Sequence, residues 1–329
     1  MINIGVIGSG GIISKHIRHL ADRTDAGITA LCDVVPDRIQ ATKETYFEDK
    51  TVNGYATPED MYNSETLEAV IITTPHTLHY GQAVQALEAD CHVFLEKPMT
   101  TSSKDALQLA AKAEKQGKVV AVGYNTASRP VFQYLREQIR NKTWGSLEMV
   151  TGFLSQNWMT MTTGLWRQDP ALSGGGQAYD SGAHILNSLL WSVESEPETV
   201  FAFTDNKDCA VDINSVMSIR FANGVLANIT ISGNCVSDGG HMAFIFEQAL
   251  VEIDGWGGSW IKVHAKDQPE TPEIDIPEVF PIINFVETIQ GKTQVAAGTK
   301  NGINHSLLMD GIYASARTGK PVNPAALQG

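Results

Sequence analysis

Six short apolar runs, spaced by helical stretches, dominate the first 122 residues. They fall near residues 2–7, 28–32, 52–55, 69–73, 93–95 and 119–122. Parallel strands need a crossover long enough to hold a helix, and such crossovers are right-handed. The spacing therefore predicts an α/β fold with a doubly wound parallel sheet. In an open sheet of this kind, ligands sit outside the carboxyl ends of the strands. The residues that follow each apolar run are thus the place to look for chemistry.

The first run leads into Gly8-Ser9-Gly10-Gly11-Ile12-Ile13 and then an amphipathic helix to about residue 21. Strand, glycine turn and helix are the setting of a dinucleotide fingerprint. Gly8 permits the tight turn, and Gly10 and Gly11 let the backbone approach a pyrophosphate at the helix N-terminus. Ile13 stands where a Gly or Ala is usual, which predicts a wider helix–strand contact. The second run ends on Asp33, roughly 20 residues further on, where an acidic side chain bonds the ribose hydroxyls. Asp33 repels a 2'-phosphate, and Val34 and Val35 offer it no donor. NAD is favoured, while Arg38 keeps NADP open.

The fourth run ends in Thr73-Thr74-Pro75-His76, with His79 one turn on. The two histidines lack a nearby third ligand, so no metal is expected and helix-start contacts near the cofactor are the better reading. The fifth run stops on Glu96-Lys97-Pro98. A strand interior rejects proline, so the strand ends there and Lys97 projects at the rim as a positioned cation. The competing reading is an exposed turn with a surface ion pair.

After Gly123-Tyr124-Asn125 the pattern changes. A helix near residues 130–139 precedes strands near 147–154, 199–203, 215–221, 225–232, 242–246 and 250–253. Asn223-Gly224 is a hairpin signal between two of these. We expect a nucleotide-binding domain over residues 1–124 and a second, mainly antiparallel domain over 125–329, closing with helices near 279–290 and 301–317. A long insertion, Trp166-Arg167 to Asn187, carries Gly174-Gly175-Gly176 and then Asp180 and His184. Four residues apart on a helix starting near Asp180, these two would share one face. Histidine is the natural proton acceptor near neutral pH. The plain alternatives are an N-cap and a core histidine.

A net charge of -13 argues against nucleic acid and against an anionic membrane surface. No apolar run approaches the roughly 20 residues needed to span a bilayer. The opening residues show no basic leader, and Cys32, Cys91, Cys209 and Cys235 are scattered without metal spacing. A reducing cytoplasm is the expected compartment.

Gly8-Ser9-Gly10-Gly11-Ile12, Asp33, Thr74-Pro75 with His79, Glu96-Lys97-Pro98, Gly123-Tyr124-Asn125, and Gly174-Gly175-Gly176 followed by Asp180 and His184 come in a set order. In that order the chain resembles the Gfo/Idh/MocA oxidoreductases, from residue 1 to the closing Ser315-Ala316-Arg317-Thr318-Gly319-Lys320-Pro321-Val322. The resemblance implies an N-terminal Rossmann domain, a C-terminal open-faced β-sheet domain and a nicotinamide pocket between them. It also implies a homodimer or homotetramer through the open sheet face, and a cis Lys97-Pro98 bond. Lys97 matches the catalytic lysine, and Asp180 and His184 match the second catalytic motif. Trp166-Arg167 looks like the pair that closes over the cofactor. Cofactor contacts are expected from Gly8 to Ile13, Asp33, Arg38, Thr73, Thr74, Pro75, His79, Glu96, Lys97, Asn125, Trp166 and Arg167. Substrate contacts are expected from Lys97, Tyr124, Asn125, Asn157, Trp158, Asp180 and His184. Asn187 departs from the aspartate common there, so substrate identity does not carry over.

The expected reaction is NAD(P)-dependent oxidation of a secondary alcohol on a sugar, cyclitol or related polyol. His184 is the acid/base, and Lys97 stabilises the alkoxide or is itself the base. One alternative is NAD-dependent glycoside cleavage through transient oxidation and elimination. Another is a non-catalytic nicotinamide-binding sensor or scaffold. Trp256 and Trp260, in a glycine-rich turn, fit pocket, interface or packing roles.

Overall fold

The computed structural model describes residues 1–48, 51–265 and 268–328. They form two compact units. Met1–Thr100, Asp105–Gly123 and Phe280–Lys300 make the first; Thr101–Lys104, Tyr124–Val279 and Asn301–Gly329 make the second. Among the described residues no helix is long and apolar enough to cross a membrane.

The first unit is built on strands β1 (Ile2–Ile7), β2 (Ala26–Cys32), β3 (Asn53–Tyr55), β4 (Ala69–Ile72), β5 (His92–Leu95) and β6 (Val120–Val122). All pair in parallel, in the order β3-β2-β1-β4-β5-β6. The order reverses beside β1, as a doubly wound sheet requires. Strands covered on both faces read as unbroken apolar runs, and Ala69-Val70-Ile71-Ile72 is fully buried along its length. Helix Pro281–Ile289 had been expected in the second domain, but it packs with the first unit. Its stripe Ile282, Phe285 and Val286 enters the core under this sheet, and Phe285 lies 5.7 Å from Phe94. Gly298 then bridges Ala121, extending the edge of the sheet.

The second unit holds β7 (Leu147–Ser155), β8 (Pro197–Asp205), β9 (Asn214–Phe221), β10 (Leu226–Ser232), β11 (Gly239–Phe246), β12 (Ala249–Asp254), β13 (Ile261–Ala265) and β14 (Gln268–Glu270). Their order is β14-β13-β12-β11-β7-β10-β9-β8. Every neighbouring pair is antiparallel except β7 with β10. β13 and β14 were not evident beforehand: they are short and follow a glycine-rich turn. Helix Gly182–Val193 lies over the inner face, close enough that a Cβ on Gly152 of β7 would meet Ile185 at 3.2 Å. Along β9, burial alternates strictly, with Met217, Ile219 and Phe221 inward and Val216, Ser218 and Arg220 outward. The outward face keeps large apolar side chains in solvent, among them Phe153, Phe203, Val216 and Leu226.

Candidate active site

The glycine turn of the first unit is shaped by close approach. Gly8 has φ +97°, and a Cβ there would meet the Thr73 backbone at 3.0 Å. This is backbone that only glycine adopts readily. Thr73 donates its hydroxyl to the Gly8 carbonyl, locking β1 to β4 at their carboxyl ends. Gly10 and Gly11 face open space, with nothing within 4 Å of an added Cβ. The Ser9 hydroxyl beside them is buried and has no hydrogen-bond partner among the described residues. Asp33 accepts the Ser9 N–H at 2.8 Å through one oxygen and the Val35 N–H at 2.9 Å through the other. Arg38 stands 3.7 Å from the same carboxylate, exposed. An open glycine cradle, an unsatisfied buried hydroxyl and a fixed carboxylate together suit a dinucleotide. Ile13 takes no part through its side chain. It is 2% exposed and sits in the core beneath the sheet, so the apolar contact there replaces the small residue usual in the fingerprint.

His79 opens helix His79–Glu88. It is fully buried, and its ring nitrogens face the Pro98 carbonyl at 2.7 Å and the Thr74 carbonyl at 2.9 Å. It braces two strand ends against each other rather than reaching outward. Burial pushes the ring below its ordinary range, against the pull of those carbonyls.

The Lys97-Pro98 peptide bond is cis. Beside it, Glu96 receives His16 Nε2 at 2.8 Å. Burial alone would raise the Glu96 carboxyl, but the His16 hydrogen bond and the nearby charges of His16 and Lys97 outweigh it and hold it below its usual range. Gly123 leaves room for this carboxylate, since a Cβ there would lie 3.1 Å from it. His16 had not been singled out. Its signal was its place in the buried stripe Ile13, His16, Ile17, Leu20 of the first helix, where a polar side chain needs a partner.

In the second unit Asp180 is 5% exposed. It precedes helix Gly182–Val193 instead of opening it, and its backbone N–H turns back to Gly176. The helix itself begins two residues beyond Asp180, at Gly182. The Asp180 carboxylate is held from another side, by Trp158 Nε1 at 2.8 Å and Arg167 Nε at 3.0 Å. Trp158, expected against substrate, is buried, with its indole N–H on Asp180. The Arg167 guanidinium also lies 4.6 Å over the Trp166 ring. His184 is partly accessible, whereas every other residue of its helix is buried. Tyr124 is buried against His305, 5.5 Å between rings, so it is a core residue. Asn125 is exposed and Asn157 half-exposed. Asn187 is fully buried, donating to Thr126 at 2.9 Å while its carbonyl oxygen has no partner.

Asp212 shapes the triple-glycine loop, and nothing local in the sequence marked it. It accepts the Gly176 N–H at 2.8 Å, the Ala178 N–H at 2.9 Å and the Tyr313 hydroxyl at 2.6 Å. Burial and the adjacent Asp212 charge push Tyr313 well above its ordinary range. A Cβ on Gly176 would strike the Asp212 carbonyl at 1.9 Å, and one on Gly175 the Tyr313 hydroxyl at 2.2 Å. The glycines are there for that contact.

A doubly wound sheet with this cradle and a second unit built on a mixed sheet define a nucleotide-binding oxidoreductase architecture. Residues 2–124 match the oxidoreductase-family NAD-binding Rossmann domain, and residues 132–259 match the GFO/IDH/MocA C-terminal domain. The chain belongs to the GFO/IDH/MocA family, and its cofactor is NAD. D-glucoside 3-dehydrogenase of Escherichia coli K12 is 28% identical over 191 residues, covering 58% of this chain and 53% of that protein. Inositol 2-dehydrogenase of Salmonella typhimurium LT2 is 29% identical over 202 residues, covering 60% and 56%. The chain thus spans a little over half the length of these relatives. Among solved structures, the WlbA dehydrogenase of Bordetella pertussis, in complex with NADH and UDP-GlcNAcA, superposes with a TM-score of 0.85 at 22% identity over 98% of both chains. Aldose-aldose oxidoreductase of Caulobacter crescentus gives 0.85 at 21% identity over 98% of this chain and 99% of the other. These two likenesses show the fold.

Proposed function

We propose that the protein is a dehydrogenase of a secondary alcohol on a sugar or cyclitol. The observation that carries this reading is His184, left partly accessible on a helix otherwise wholly buried, with Asp180, four residues earlier, fixed by two donors. A proton acceptor kept open in a buried setting suits general base catalysis. The names of the two curated relatives point to ring polyols as the substrate class. When bound, NAD supplies the acceptor for the hydride that leaves the carbinol carbon. The residues proposed to hold it are Ser9, Gly10, Gly11 and Asp33. His184 takes the hydroxyl proton, and Lys97 stabilises the developing alkoxide by charge and hydrogen bonding. Asp180, gripped by Trp158 and Arg167, orients a substrate hydroxyl. The test is NADH formation across sugars and cyclitols, with phenol release from aryl glycosides followed in parallel. Lys97→Met and His184→Ala should keep NAD affinity and lose about 10²–10⁴-fold in kcat. Near-normal turnover in either variant would overturn the assignment, and phenol release without NADH would move it to glycoside cleavage.

We also propose that the outward sheet face covers a second copy of the chain. Phe203 is 58% and Phe153 46% exposed there, an apolar patch of the kind that marks interfaces. Sedimentation of Phe153→Lys should show the smaller species. A reducing cytoplasm fits the unpaired thiols of Cys32 and Cys91, each pushed up to about 11 by burial and so kept protonated.

A further inference from the structure

The sugar or cyclitol reading leaves one aromatic side chain unexplained. Trp256 lies in the turn after β12, and its ring meets His184 at 5.3 Å with 66° between the planes. It stays 41% exposed. An indole packed for stability would hide its faces; this one keeps surface free beside the proposed base. The turn is also stiff. Asp254 accepts the N–H of Trp256 at 2.9 Å, of Gly257 at 3.2 Å and of Ser259 at 3.1 Å, and the Ser259 hydroxyl at 2.7 Å. Gly255 donates to the Gly240 carbonyl at 3.2 Å, and a Cβ on Gly240 would meet the Trp256 nitrogen at 2.8 Å. The backbone that carries the ring is therefore fixed before any ligand arrives, which lowers the ordering cost of binding.

Trp260, four residues on, has a different setting. Lys262 stands 5.6 Å over its ring and His241 lies 5.9 Å away, both from the outward sheet face. Only Trp256 of the pair faces the proposed catalytic histidine.

We infer that Trp256 is the stacking platform for a pyranose or cyclitol ring. Its π face receives the C–H face of the ring, whose weakly positive hydrogens match the negative face of the indole. With the two aromatic planes at 66°, a ring laid on the indole presents an edge hydroxyl to His184. This rests on the sugar or cyclitol reading above, but it is tested by binding and needs no turnover. The NAD-loaded full chain is titrated with methyl β-D-glucopyranoside and myo-inositol as ring probes and with mannitol as an open-chain probe. Trp256→Ala should weaken at least one ring probe about fivefold to tenfold, the range expected for an aromatic contact. Trp256→Phe should recover most of that loss, and mannitol should be indifferent to both changes. NAD affinity should not move. Where a ring probe is also oxidised, KM should rise far more than kcat falls. Unchanged ring binding in Trp256→Ala, an equal loss for mannitol, a loss of NAD affinity, or no ring binding by the parent protein would each overturn the platform. Ring binding that depends on Trp256 without any NADH formation would sink the dehydrogenase reading and leave the platform standing.

Discussion

Asp33 does two jobs with one carboxylate. It closes the glycine turn by accepting the Ser9 and Val35 N–H groups, and in the proposed cofactor site it opposes a 2'-phosphate by charge. Replacing it by serine should lower NAD affinity by about tenfold, the worth of a hydrogen bond to a charged group. It should also narrow the preference over NADP, because Arg38 loses its counter-charge 3.7 Å away. Cofactor titrations of Asp33→Ser with both nucleotides check this. The acidic residue was readable in advance because its distance from the fingerprint is set by one strand and one helix. His16 was harder to see: its meaning depends on Glu96, 80 residues later, and only the parallel pairing of the sheet brings the two to 2.8 Å. His79 opens its helix, as its place after a strand end suggested, but its two carbonyl neighbours, Thr74 and Pro98, could not be read from the sequence.

Loops and helix ends carry the second unit's proposed site residues, and two of them can be perturbed cleanly. Gly176→Ala places a Cβ against the Asp212 carbonyl, a contact the backbone must move to relieve. Such overpacking costs about 1–3 kcal/mol. Thermal melting should register it, and turnover should fall further than stability does, because the loop leads directly to Asp180. Helix Gly182–Val193 ends at Glu194, which adopts φ +53° and pairs with Arg136 and Arg140 of helix Pro130–Asn141. Burial would raise this carboxyl, but the two guanidinium groups overcome it and draw it from 4.5 down to about 2. A depressed carboxyl adds stability above its unfolded value and loses it as pH falls through the folded one. Urea midpoints should therefore drop between pH 4.5 and about 2, and Glu194→Gln should flatten that part of the profile. Helix periodicity and the Asn223-Gly224 hairpin were visible beforehand. The turn before helix Gly182–Val193 was not, because it is set by Asp212, a residue distant in sequence.

Across the whole molecule, the chain does not finish one unit before beginning the other. Residues 280–300 return to the first unit, and Ile282, Phe285 and Val286 complete its core. A fragment of residues 1–124 should therefore bind hydrophobic dye and melt broadly, whereas the same fragment fused to residues 280–300 should melt cooperatively. This return could not be read from pattern, since an amphipathic helix shows that it has an apolar face but not which sheet will cover it. The route has a consequence for biosynthesis. A leading domain ordinarily folds while the rest of its chain is still being made. Here the nucleotide-binding unit stays short of its last core helix until the ribosome has passed Ile289, long after its last strand, Val120–Val122, has emerged. Nascent chains should thus remain dependent on chaperones, and unresponsive to NAD, until every strand of the second unit has also been made.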